Sequence, residues 1–266
     1  MKTKMKRVIG LVVLLLANMM LLAQTADDYR ESANQGDVVS QTMLGACYYY
    51  GESVEQDYKQ AVYWWTKAAD QDFAYAQYLM ANCYYSGEGV TQDFERAAFW
   101  WTKAAEQGHV ESQMNLGQCY YNGVGVKQDF GQSAYWYTKA AELGNAASQL
   151  TIGDFYYHGK GVTQDLGRAV YWYTKSAEQD VVDAQYKLGK CYYNGKGVAQ
   201  NSERAVFWWT KAANQGDADA QYNLGVCYYY GDGVAQDNEK AALWWTKAAN
   251  QGKAEAKEAL RKLERH

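Results

Sequence analysis

Residues 217–252 read DADAQYNLGVCYYYGDGVAQDNEKAALWWTKAANQG. The same 36-residue sentence is written six times along the chain. Tyrosine pairs stand at Tyr48-Tyr49, Tyr84-Tyr85, Tyr120-Tyr121, Tyr156-Tyr157, Tyr192-Tyr193 and Tyr228-Tyr229, a step of 36 each time with no insertion. Gly51, Gly87, Gly123, Gly159, Gly195 and Gly231 keep that step, and Val54 begins a matching valine series. All ten Trp residues fall on two adjacent positions of the unit. A fixed period in this range marks a repeat architecture, in which no unit can bury its apolar face alone and neighbours must stack.

Each unit reads as two helices. In the first unit, one runs near residues 38–49 and the second near 58–71, where Ala61, Trp65, Ala68 and Ala69 recur at helical spacing. A Gly-x-Gly-Val turn joins them, with Ser53 replacing the second glycine in unit one. Asp57, Asp93, Asp129, Asp165 and Asp237, with Asn201 in unit five, are placed to cap the second helices. Small Ala and Gly facing large Trp and Tyr should let helices approach closely and interlock, so the Trp ladder is assigned to the core.

The composition removes several classes of function. With 48% apolar and 21% charged residues the chain can build a core, and with no proline it holds no Pro-rich linker or ligand tract. Lys2, Lys4, Lys6 and Arg7, the apolar run Val8–Leu22 and the small residue Ala23 follow the order of a secretory signal peptide, which predicts export to a periplasmic or extracellular place with residues 1–23 removed. The run is too short for a membrane span. Removing it leaves 22 basic against 30 acidic residues, a formal charge of −8, which argues against nucleic acid and anionic lipid as partners.

Residues 24–36 then match the tail of a second helix, 37–252 hold six complete units, and 253–266 form a polar capping helix. The unit resembles the Sel1-like repeat, a relative of the tetratricopeptide repeat. The motifs that carry this are Ala-x-x-x-Leu-Gly, Tyr-x-x-Gly-x-Gly-Val-x-Gln-Asp and Ala-x-x-Trp-Trp-x-Lys-Ala-Ala-x-x-Gly. Ala81, Ser133, Tyr137 and Tyr173 are the departures. The resemblance implies an all-α, right-handed αα-superhelix that presents a concave surface to partners, and scaffolding rather than catalysis.

Candidate chemistry is sparse. Cys47, Cys83, Cys119, Cys191 and Cys227 share one position, where unit four has Phe155. Equivalent positions of stacked helices lie roughly 8–10 Å apart, beyond disulfide reach, so these thiols should be buried and free. Cysteine-rich Sel1-like proteins, to which β-lactam hydrolysis has been attributed, carry paired cysteines; one per unit departs from that pattern, and a hydrolase is only a remote alternative. His109, His158 and His266 occupy different unit positions, so they suggest no shared site. No phosphate loop or zinc helix is present, and no cofactor, metal or catalytic residue is expected. Lys67 and its five equivalents read as a structural or solvated row.

A partner should instead meet the positions that vary among the copies. In the first helices these are the slots of residues 39, 43, 46 and 50, whose spacing of four, three and four makes one stripe. The stripe is apolar and aromatic at its N-terminal end and polar beyond. Val39, Met43, Tyr50, Tyr75, Leu79 and Asn82 are therefore the expected partner-binding residues. Packing of Met43, Leu79 and Tyr75 against the N-terminal half-unit is the competing reading. The expected partner is a protein or peptide, with basic groups favoured by the net charge; a cell-wall glycan gripped by Tyr50, Tyr75 and Tyr230 is the alternative.

Overall fold

The computed structural model describes residues 25–264, so the expected signal peptide and His266 lie outside the described residues. Those residues form fourteen α-helices and no strand. The chain divides into two compact units after Lys127, between the two helices of the third repeat.

The first unit holds α1 (Ala26–Asn34), α2 (Val38–Tyr50), α3 (Tyr58–Ala69), α4 (Ala74–Ser86), α5 (Phe94–Glu106) and α6 (Val110–Asn122). The second holds α7 (Phe130–Glu142), α8 (Ala146–His158), α9 (Leu166–Ala177), α10 (Val182–Asn194), α11 (Ser202–Asn214), α12 (Ala218–Tyr230), α13 (Asn238–Asn250) and α14 (Ala254–Leu263). Within each unit every helix packs on the next in chain order.

Local chemistry sets each boundary. Asp57, Asp93, Asp129, Asp165, Asn201 and Asp237 all accept backbone N–H bonds at the start of their helices, at 2.8–3.0 Å. His109 does the same for α6, with its Nδ1 3.3 Å from the Ser112 nitrogen. The first helices end on a glycine at positive φ, as at Gly51 (73°). The second glycine of the turn serves a different purpose. At Gly161 a Cβ would lie 2.0 Å from the Phe130 carbonyl oxygen, so only glycine lets this turn rest on the preceding repeat's second helix. The first repeat follows a half-repeat, and there Ser53 Oγ instead accepts the Ala26 N–H at 2.8 Å.

The core of each unit is a file of tight pairs. The ring of Trp65, Tyr173, Trp209 or Trp245 lies flat against a first-helix glycine, and a Cβ on Gly189 would stand 2.5 Å from Trp209. The indole N–H of these tryptophans donates to a backbone carbonyl 23 residues back: Trp65 to Thr42, Trp209 to Tyr186 and Trp245 to Tyr222. The other aromatic row of the second helices is less covered. Trp64 and Trp136 are buried, whereas Trp100, Trp172, Trp208 and Trp244 are half-buried. The five cysteines are buried and unbridged.

A second file is polar. Gln41, Gln77, Gln113, Gln149, Gln185 and Gln221 are buried, and each donates from Nε2 to a carbonyl eight residues back. A glutamine 30 residues on donates to the Oε1 of five of them, as Gln215 does to Gln185 at 2.9 Å. Gln113 Oε1 alone in this file has no partner, and the sequence carries Leu143 at that ladder position.

Candidate functional site

Cavities open on the first-helix side of both units, built by the same repeat positions and filled with different chemistry. The floor is an aromatic residue of a second helix, and the walls are variable slots of two successive first helices.

In the first unit the cavity measures about 390 Å³. Its walls carry the amides of Asn82, Asn115, Gln118 and Asn122, beside the rings of Tyr49, Tyr85 and Trp101 and the carboxylate of Glu88. Trp101 explains its shape. Ala81 stands where the other tryptophan-floored repeats have glycine, and its methyl occupies the space an indole would take. Trp101 accordingly gives its Nε1 hydrogen to the Asn82 side chain, 3.2 Å away, and not to a backbone carbonyl. The Asn115 and Asn122 amides make no hydrogen bond within the described residues. Glu88 accepts from the Tyr49 hydroxyl at 2.6 Å, which, with burial, holds that phenol well above its usual range. Burial pushes the Cys119 thiol up to about 11, so it is no nucleophile at neutral pH.

In the second unit a cavity of about 140 Å³ has a Tyr173 floor. Tyr173 donates to Asp154 at 2.6 Å, and Lys187 Nζ meets both Asp154 oxygens at 2.5 and 2.6 Å. Burial first, then this bond, drive the Tyr173 pKa up. Lys190 and His158 complete the rim. A third cavity, about 380 Å³, lies over Trp245 between α12 and α14 and is lined by Tyr230, Glu255, Glu258 and Lys262.

The structure places the expected binding residues in different surroundings. Asn82 lines the first cavity. Val39, Tyr50 and Tyr75 are exposed outside it, and 66% of the Tyr50 surface faces solvent. Tyr75 stacks on Tyr78, ring centroids 6.1 Å apart, and lies 6.0 Å from the His109 ring. Met43 packs against the cluster of Ala26, Tyr29, Leu44 and Trp64, and Leu79 against that of Trp65, Met80 and Cys83. Those two side chains are long and apolar beside a core edge, and they complete it. Of the four stripe slots, those of residues 43, 46 and 50 recur around the cavities, while the slot of Val39 enters only the third, as Glu255 of the capping helix.

Sequence reasoning missed the rings. Tyr49 and Tyr85 sit at a position constant among the copies and Trp101 at one that is always Trp or Tyr, a regularity that reads as architecture although these rings also line the cavity. It also missed an exposed row on the second helices. Tyr63, Phe99, Tyr135, Tyr171 and Phe207 are about half exposed, and Lys67, Lys103, Lys139, Lys175 and Lys211 stand 4.7–5.9 Å from their ring centroids. Lysines at i+4 thus cover the ring faces that a stacked sugar would need.

Among the described residues, no three His, Cys, Asp or Glu are grouped to hold a metal ion, and no helix is long and apolar enough to cross a membrane.

The Sel1 repeat pattern matches residues 38–73, 74–109, 110–145, 146–181, 182–217 and 218–253. The chain is 37% identical to a protective antigen present in uropathogenic Escherichia coli strains, over 89% of this chain with a TM-score of 0.80. It spans only 51% of that antigen's length. It is 35% identical to a Sel1 repeat protein from Oxalobacter formigenes, over 81% of this chain and 89% of that one, with a TM-score of 0.63. No curated protein matches the sequence. With six contiguous repeats matched and two solved relatives above 30% identity, the chain belongs to the Sel1 repeat family.

Proposed function

We propose that this chain is a non-catalytic scaffold that holds an extended segment of a partner protein against the first helices of its repeats. Sel1-repeat proteins are generally protein-interaction scaffolds. The observation that carries the finer reading is the first unit's cavity. An extended peptide offers unpaired N–H and C=O groups along both edges, and an amide side chain can donate to one and accept from the other. Asn115 and Asn122 have those capacities unspent, next to rings that supply apolar area. The thiols are buried and neutral, and the histidines serve a helix cap and a cavity rim, so the site offers no nucleophile–base pair.

The same proposal places the mature chain outside the cytoplasm, on the strength of Lys2–Arg7, Val8–Leu22 and Ala23. Mass spectrometry of the purified native protein tests it: a chain beginning at Gln24 supports export, and an intact Met1 in a cytoplasmic fraction removes it.

Binding is tested by selecting peptides from a random displayed library on the full chain and measuring their affinities. Replacing both Asn115 and Asn122 with Ala should weaken the selected peptides by tenfold or more. Replacing Tyr171 and Phe207 with Ser on the second helices should leave them unchanged. Peptides that respond only to the second pair, or a chain that retains peptidoglycan and no peptide, overturn the reading.

A further inference from the structure

The small cavity of the second unit carries a charge pattern opposite to that of the chain as a whole. Lys187 is spent: Asp154 holds it with both oxygens, and Tyr173 takes up more of the same carboxylate. That pair is neutral and fixes one wall. Lys190 and Lys196 are different, because no carboxylate lies within ion-pair distance of either among the described residues. Lys190 Nζ sits 5.3 Å from the Tyr186 ring centroid, and Lys196 Nζ donates to the Tyr157 hydroxyl at 3.3 Å. Lys190 therefore lines 140 Å³ of open space without a counter-charge, and Lys196 stands beside it on Tyr157, another lining residue, in a protein whose formal charge is −4.

The cysteine row reports the same local potential. One thiol stands at the same repeat position beside several of these turns. The charged neighbours of Cys47, Cys83 and Cys227 are Glu52, Glu88 and Asp232, which raise their pKa values further. Around Cys191 they are Lys190, Lys196 and Lys187, which lower it against the dominant effect of burial. Among the five thiols, Cys191 is the one with lysine neighbours.

We propose that this cavity is a subsite for the carboxylate of an acidic side chain on the bound segment, met by Lys190 at the wall and by Lys196 from beside Tyr157. Its size fits that group. A cavity of 140 Å³ admits several water-sized groups, enough for one carboxylate with its short methylene stem. Charge complementarity selects an anion, and a side chain reaches in from a segment lying along the first helices. This rests on the scaffold reading for the direction of the segment, and it reverses the expectation of a basic partner at this point of the chain.

The test uses single-residue probes on the full-length ¹⁵N-labelled chain. N-acetyl-glutamate N-methylamide is titrated against its neutral twin, N-acetyl-glutamine N-methylamide, with amide shifts as the readout. The glutamate probe should give saturable shifts around residues 154–158 and 187–196, and bind at least tenfold more tightly than the glutamine probe. Lys190→Gln with Lys196→Gln should abolish the difference, and Lys190→Arg should keep it. Equal binding of the two probes, no saturation, or shifts unaltered in the double glutamine variant overturns the proposal. Tighter binding of N-acetyl-alanine, whose only carboxylate is a chain end, overturns the side-chain source. A probe that binds here while selected peptides ignore Asn115 and Asn122 would fail the scaffold reading and leave this subsite standing; the reverse result would do the opposite.

Discussion

The glycine–tryptophan pair is the smallest piece of this fold with a measurable consequence. An indole lying flat on a helix backbone leaves no room for a methyl, and Gly189 with Trp209 shows the limit at 2.5 Å. Gly189→Ala should cost roughly 1–3 kcal/mol through overpacking, read as a lower urea midpoint with unchanged slope. The reverse change, Ala81→Gly, should not destabilise, and it should let Trp101 abandon Asn82 for a backbone carbonyl. Tryptophan fluorescence follows the move. Both residue types were visible in the sequence as nearly constant positions, but their pairing was not, because the changes to Tyr137 and Tyr173 fall in repeats that keep the glycine, and so the two positions do not covary. Only the departure at Ala81 exposes it, and its meaning needs the Trp101–Asn82 bond of 3.2 Å to be seen.

Among elements, the helices and their caps were legible and the glutamine file was not. Asp57 and its equivalents combine a capping residue type with a position just before an apolar helical run, so type and place agree. Gln77 is as regular, yet a polar residue on a helix reads as solvent-facing, and here it is fully buried. What buries it is a set of bonds reaching eight residues back and 30 forward, which no local window contains. Gln215→Leu removes the donor to Gln185 Oε1 and leaves a buried acceptor empty. The expected cost is roughly 1–3 kcal/mol, with faster amide exchange in α10 and α11 than in α8. Equal exchange in all three helices would show the file to be dispensable. The cavity walls were partly legible for the same reason: variable slots on one helix face point to Asn82, while the ring edges of Tyr85 and Trp101 belong to residues that also serve the core.

At the scale of the whole molecule, the buried thiols set a limit in alkali. Burial raises Cys119 and Cys191 to about 11 and Cys83 and Cys227 to about 12, from an ordinary 9.0. In that window the unfolded chain has lost protons that the folded chain still holds. Their contribution is therefore complete below pH 9 and is lost as pH rises through 11 to 12. Tyr193, raised to about 12 by burial and then by Asp232, adds to the same slope. Urea midpoints should be flat from pH 7 to 9 and fall above it, and the fall should be shallower in Cys83→Ala. A midpoint that does not change up to pH 11 would contradict the burial of the row. Function at this scale was legible as a class, because a chain of Sel1 repeats belongs to a family whose members are generally protein-interaction scaffolds. Which surface was not, since the distinction between a slot that lines a cavity and one that completes a core edge depends on neighbours in the next repeat. Met43 and Asn82 both vary among the copies and both are half-buried, yet Asn82 lines a cavity while Met43 packs on a core edge.

The most direct measurement is amide hydrogen exchange of the full chain with and without a selected peptide. Protection is predicted in the C-terminal halves of α4 and α6, over residues 82–86 and 115–122, with little change in the second helices of the same unit, α3 and α5. Protection concentrated on α3 and α5 would contradict the account, because it would place the partner on the aromatic–lysine row and leave the first-helix cavities without a role.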